Sequence, residues 1–220
     1  MARLTKTKYR VLRSFLDDNS RRLIYEYSVL KRNTAQMRPP DERIPTAPRL
    51  YADPLTEVLL AQSLEKVEGA LGHRLYPTYS YLRVHPHGAA MARHRDRNAS
   101  EVAVSINIGG DTDWPIWIRP GETNLAIDLA PGDALLYFGR EVLHWRQPFT
   151  GTVQVQAMLF YVLQEGPFAQ YAYDRRAGLG LPSVPLGTPA HRPFGVGRSP
   201  SRKRKVGRNS RMAAGIFRTT

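Results

Sequence analysis

The chain has 220 residues, no cysteine and a formal charge of +13. Those values exclude a disulfide framework and thiolate metal sites, and they suit one principal domain with appendages. No window approaches the roughly eighteen unbroken apolar residues of a membrane-spanning helix, and MARLTKTKYR at the N-terminus lacks the apolar run of a signal peptide, so a soluble, cytoplasmic protein is expected. The charge itself is localised. Residues 175–220 hold 11 Lys or Arg and no Asp or Glu, which leaves +2 for the 174 residues before them.

In chain order, residues 1–15 are basic and weakly patterned. Residues 17–31 place Leu23, Ile24, Tyr27 and Leu30 at helical spacing behind a polar N-cap, which predicts a helix packed on the outside of the main domain. Residues 32–50 are polar and carry Pro39, Pro40, Pro45 and Pro48, the composition of a loop or linker. Residues 1–50 thus read as an N-terminal helix and linker ahead of a core over 51–165. Asp53-Pro54 opens a second helix, with proline at its first position. Leu55, Val58, Leu59, Leu64 and Val67 form its expected core stripe, and Gly72 its C-cap. Strands follow from Tyr79 onward: 101–108 ending at Gly109-Gly110, then 114–118, 123–129, 134–138 and 152–163. Several short strands divided by turn residues favour a mainly β barrel or sandwich with the helices supporting it. After Leu163 Gly, Pro, Arg and Ser dominate. Phe168, Tyr171 and Tyr173 are candidates to pack back on the core, but 166–220 reads as a basic tail, disordered beyond about Leu181 for want of apolar surface.

Within the strands, three residues stand out. A strand from Tyr76 through HGAAMARHRD would point His94 and Asp96 to one face, since residues i and i+2 share a side. Gly88, Ala90 and Ala92 have the same parity and would leave open space before the pair. His144 lies 48 positions after Asp96, behind the turn Pro131-Gly132-Asp133 and the apolar strand Ala134–Phe138. Two imidazoles and one carboxylate with further positions open make up the facial triad of non-haem Fe(II) oxygenases.

The pattern YSYLRVHPHGAAMARHRD, followed by SINIGG, WPIWI and APGDALLYFGREVLHW, resembles the Fe(II)/2-oxoglutarate dioxygenases, and within them the prolyl-hydroxylase-like branch. The likeness covers about residues 76–162. It implies a double-stranded β-helix (jelly roll) with His94, Asp96 and His144 holding Fe(II), and 2-oxoglutarate and O2 as co-substrates. It further implies hydroxylation of a C–H bond, on a protein side chain such as proline or on a small molecule, with release of succinate and CO2. The family's cation for the distant carboxylate of 2-oxoglutarate commonly lies ten positions after the second histidine, where this chain has Gln154, with Gln156 following on the same face. Glutamine donates a hydrogen bond but no charge. Arg83 is therefore the first candidate for that role and Arg146 the second. His85 stands where the family often has a tyrosine near the co-substrate, and His87 reads as a loop residue.

Two other classes fit parts of the chain. One is a nucleic-acid-binding protein that uses the basic tail on a β scaffold, and the other a cupin-like metal-binding protein. The tail could equally meet an acidic partner. A chain ending near Leu181 is expected to lose any salt-sensitive nucleic-acid binding while keeping succinate formation, because phosphate contacts release counterions and every proposed ligand precedes Leu163. Gel shifts at two salt concentrations beside a turnover assay test both halves, and loss of turnover in soluble, metal-loaded protein would make the tail part of the site.

Overall fold

The structure, a computed structural model, describes residues 7–181. The basic tail beyond Leu181 lies outside the described residues. Two antiparallel sheets face each other. The larger has the order β1 (Tyr9–Leu12), β8 (Ala134–Phe138), β5 (Val102–Gly110), β10 (Val153–Leu163), β3 (Leu75–Pro86), β2 (Arg49–Tyr51). The smaller has the order β4 (Met91–His94), β9 (Leu143–Arg146), β6 (Ile116–Arg119), β7 (Leu125–Ile127). Among the described residues no helix is long and apolar enough to cross a membrane.

Alternation along the long strands sorts the side chains. On β3 and β10, Leu82, Val84, Val155, Ala157, Leu159 and Tyr161 point to the outer side, where the helices cover them. Tyr79, Tyr81, Met158 and Phe160 point inward, toward the smaller sheet. The period of two thus makes the outer face a continuous apolar layer and frees the inner face for the site. A one-residue slip would exchange the two sets.

Helix α1 (Asp18–Asn33) begins where expected. The Asp17 carboxylate accepts from Ser20 N at 2.9 Å. Its buried face differs from the expected one. Leu23 and Leu30 are 63% and 62% exposed, while Ile24 and Ser28 are buried. Polar contacts set that rotation: Arg21 donates to the Ile108 carbonyl at 3.1 Å, and the Tyr27 hydroxyl donates to the Asp53 carboxylate at 2.8 Å. The second helix is two, α2 (Pro54–Gln62) and α3 (Leu64–Leu71), bent at Ser63 and ended by Gly72 at φ 80°. The bend buries Leu59, Leu60, Val67 and Leu71 but leaves Val58 55% exposed.

Two edge strands lie in stretches that carry no strand signal, β1 in the basic N-terminal segment and β2 in the proline-rich linker. Each is short and gains its pairing only from a distant strand, β8 and β3 respectively. The Pro131-Gly132-Asp133 turn has Gly132 at φ 90°, and the Asp133 carboxylate accepts from Ala130 N and Ser14 N.

Residues after β10 fold back on β3 through a 3-10 segment, Ala169–Arg175. Tyr173, Asp174 and Arg175 all have positive φ, a conformation costing on the order of 1 kcal/mol or more per residue. The contacts they allow offset it. Asp174 accepts two bonds from Arg97 at 2.8 and 2.7 Å and one from Tyr51. Buried Arg176 binds both carboxylate oxygens of buried Glu57, at 2.8 and 3.1 Å, and the Thr78 carbonyl at 2.8 Å. Arg176→Ala strands Glu57 in the interior, so a loss of about 3 kcal/mol is expected in urea unfolding, with a smaller loss in Glu57→Leu/Arg176→Met. A loss under ~1 kcal/mol in the single variant would show that water or rearrangement satisfies Glu57.

Candidate metal centre

Strands β4 and β9 pair with His94 opposite His144. The His94 Nδ1 lies 2.9 Å from the Ala92 carbonyl and the His144 Nδ1 3.0 Å from the Val142 carbonyl. A carbonyl only accepts, so each Nδ1 carries the proton and each Nε2 keeps a free lone pair. Those Nε2 atoms stand 3.6 and 3.7 Å from Asp96 Oδ1. One ligand atom from each residue lies within 4.8 Å of the others, close enough for one ion about 2.1 Å from each. Buried Asp96 Oδ2 has no hydrogen-bond partner, an arrangement that a cation would resolve.

Asp96 reaches this position from a loop and not from a strand. β4 stops at His94, and the Asp96 N–H donates to the Gly139 carbonyl at 2.8 Å. The small residues also behave differently from their strand reading. Gly88 sits in a turn at φ 75°, and Ala89 packs against Ile44, Ala47 and Phe149. Ala90 and Ala92 are not on the cavity wall, where Met91 is. The glycine that does make room is Gly139, where a Cβ would come within 2.4 Å of Asp96 Oδ2 and 2.5 Å of the Ser100 carbonyl.

The triad opens into a cavity of about 580 Å³ between the sheets. Its floor is the inner face of the larger sheet, with Tyr79, Tyr81, Arg83 and His85 from β3 and Gln156, Met158 and Phe160 from β10. Arg146, two residues beyond His144 on β9, is also in the wall. Arg146 is buried, donates to the Trp114 carbonyl and lies 4.7 Å above that indole ring. It has no carboxylate partner among the described residues, and burial pulls its pKa down to about 9. Arg83 is equally buried but forms an ion pair with Asp41 and donates to the Ala47 carbonyl. His85 packs edge-on to Trp114 at 4.9 Å with both ring nitrogens unpartnered. Burial first, then the charges of Arg146 and Arg83, hold its pKa well below the ordinary imidazole value, so the ring is neutral.

Gln154 lies outside the cavity. Its amide donates to Asn107 Oδ1 at 2.6 Å, and its side chain packs so tightly on Gly110 that a Cβ there would lie 1.9 Å from Oε1. His87 is an exposed loop residue near the Thr150 and Gly151 carbonyls. Trp145 faces away from the metal, stacked on Trp117 at 5.9 Å and capped by Arg93.

Two wall residues carried no sequence signal of their own. Tyr137, from β8, sets its ring edge-on to His144 at 4.9 Å, and only the alternation Leu135, Tyr137 against Ala134, Leu136 pointed it inward. Arg97, next to Asp96, lies 4.3 Å above the Tyr79 ring and is tied to Asp174. Its role depends on a segment 77 residues away. Gly139→Ala is expected to displace the Asp96 carboxylate and weaken Mn(II) binding, read by calorimetry, by about tenfold or more with circular dichroism unchanged. Unaltered Mn(II) affinity would show that the Asp96 loop moves without cost.

No family model matches the chain, and no curated protein matches it in sequence. Solved structures do. A prolyl-4-hydroxylase of Pseudomonas putida shares 15% identity at a TM-score of 0.59, over 72% of this chain and 94% of that one. A prolyl hydroxylase from Trichoplax adhaerens, in complex with a hypoxia inducible factor oxygen degradation domain peptide, gives 14% and 0.61 over 74% and 86%. HygX from Streptomyces hygroscopicus, with nickel, 2-oxoglutarate and hygromycin B bound, gives 11% and 0.58 over 74% and 85%. The chain has the double-stranded β-helix fold shared by prolyl hydroxylases and other 2-oxoglutarate–Fe(II) oxygenases.

Proposed function

We propose that the protein is an Fe(II)- and 2-oxoglutarate-dependent oxygenase that hydroxylates a C–H bond, and that Arg146 holds the distant carboxylate of 2-oxoglutarate. The observation that carries this reading is a buried guanidinium without a carboxylate partner among the described residues, on the same strand as a histidine whose Nε2 is free, in one cavity. A buried lone cation is costly until an anion pairs with it, and an oxo-acid would supply that anion. The same cation favours an oxo-acid co-substrate over a metal-binding protein that uses none. Arg83, the first candidate from the sequence, is less free for the role because Asp41 already neutralises it.

Bound Fe(II) supplies the redox chemistry that couples O2 and 2-oxoglutarate to hydroxylation, giving succinate and CO2. The chain's own residues orient and exclude. His94, Asp96 and His144 would hold the ion, with both imidazole tautomers set by main-chain carbonyls. Arg146 pairs with the far carboxylate, and neutral His85 beside it offers one donor and one acceptor at no charge cost. Tyr137 and Phe160 bring apolar surface to the cavity, which limits water near the metal. Among the relatives in fold, one is bound to a peptide and another to hygromycin B, so a protein side chain, proline among them, and a small molecule are both within the fold's range.

Calorimetry of 2-oxoglutarate with Mn(II)-loaded protein tests the reading. Arg146→Gln is expected to weaken binding by about tenfold to a hundredfold, since a charge-assisted pair is worth about 1.5–3 kcal/mol. Arg146→Lys should recover part of it, and Gln154→Ala should bind as the parent does. Parent-like binding by Arg146→Gln, or absence of Fe(II)-dependent succinate formation in the parent, overturns the proposal.

A further inference from the structure

The wall of the cavity carries four arginines, Arg43, Arg83, Arg97 and Arg146. Their commitments differ. Arg83 is paired with Asp41, and Arg97 is held by two bonds to Asp174. Arg146 is the co-substrate's under the reading above. Arg43 alone is left, with no hydrogen bond or ion pair to any described residue. It is exposed to solvent, yet part of the cavity wall.

Arg43 is not a loose surface side chain on a free loop. It sits in a turn pinned at both ends. Before it, the Asp41 carboxylate bonds buried Arg83, lies 3.4 Å from Arg49 and accepts from Ile44 N at 3.3 Å. After it, Ile44 is 4% exposed and packs with Ala47, Ala89 and Phe149. Pro39 and Pro40 stiffen the approach. The turn therefore presents residues 42 and 43 at the mouth from a fixed base.

Charge decides what would bind there. A bound Fe(II) and Asp96 sum to +1, and Arg146 adds +1, so 2-oxoglutarate at −2 cancels both. The Arg97–Asp174 pair is neutral, and Arg83 is paired with Asp41, which Arg49, not itself on the cavity wall, also approaches at 3.4 Å. What remains charged is Arg43 beside exposed Glu42, on a wall where Tyr79, Tyr81, Phe160 and Met158 supply aromatic and apolar surface next to polar Ser100, Ser105 and Gln156. Among the described residues no ion pair joins Glu42 to Arg43, so the guanidinium fork is open to an anion.

We infer that the primary substrate is a small molecule with an apolar body and a carboxylate or phosphate, and that Arg43 binds its anion at the mouth while the aromatic wall takes the body. This rests on the reading of the site as a 2-oxoglutarate oxygenase, and it narrows that reading to anionic small molecules. Arg43 is then a specificity-determining residue, because an uncharged analogue forfeits the charge-assisted pair.

The test uses full-length protein loaded with Mn(II) and saturating 2-oxoglutarate, titrated without O2 by calorimetry. The probes are 3-phenylpropionate, phenyl phosphate and neutral 3-phenylpropanamide. At least one anion is expected to bind about tenfold or more tightly than the amide, and the stronger of the two identifies the headgroup. Arg43→Gln is expected to erase that preference, whereas Arg22→Gln, an exposed change on α1, should keep it. Equal binding of acid and amide, a preference that survives Arg43→Gln, or no saturable anion binding up to about 10 mM overturns the inference, provided 2-oxoglutarate itself binds. Failure of 2-oxoglutarate to bind overturns the underlying reading, and the inference falls with it.

Discussion

The site depends on one register. His94 faces His144 across β4 and β9, and the irregularity between Met91 and His94 in that pairing lets the chain leave the strand directly after the first histidine. Had β4 continued as a regular strand, Asp96 would share the face of His94 but move away along the sheet by two residues, about 6.6 Å. The loop instead turns Asp96 back, with its N–H on the Gly139 carbonyl. Backbone pairing thus brings the three candidate ligands together, and main-chain carbonyls choose the tautomers. Gly139 is the steric condition for this.

A second consequence of the register is chemical. Since β9 is four residues long and carries both His144 and Arg146 on its inner side, metal ligand and cation are set by one short piece of backbone. That piece is braced on the outside by the Trp145–Trp117 stack. In the dioxygenases that the sequence resembles, the cation commonly lies on the next long strand, and here that strand spends the corresponding residue, Gln154, on Asn107 and Gly110. Among the described residues, the cavity's inner-strand arginine without an ion pair lies on β9 instead.

How much of this could be read in advance follows from range. The triad was legible because its evidence is local: an HxD triplet, a Pro-Gly turn, an apolar strand, a histidine. The long strands were legible because alternation and β-branched residues act over a few positions. β1 and β2 were not, because edge strands of four and three residues owe their structure to partners far along the chain. That Arg83 is paired while Arg146 is not was not legible either, because the pairing depends on Asp41 folding in from 42 residues away. Leu23 and Leu30 misled for a related reason: helical spacing marks a stripe, but Arg21 and Tyr27 choose which stripe is buried.

The placement of β10 bears on when the protein can fold. This strand lies between β3 and β5 and pairs with both, yet it is the last strand among the described residues. The Glu57–Arg176 pair spans 119 residues, and the Arg97–Asp174 pair 77. During synthesis the larger sheet therefore has a gap at its centre until residue 163 has emerged, and the clamp behind the metal loop closes only after residue 176. Until then two hydrophobic half-sheets have their inner edges unpaired, which is the condition under which strands pair with other molecules. A nascent chain of this topology gains nothing by folding early, and its exposure to aggregation is set by the time taken to make β10.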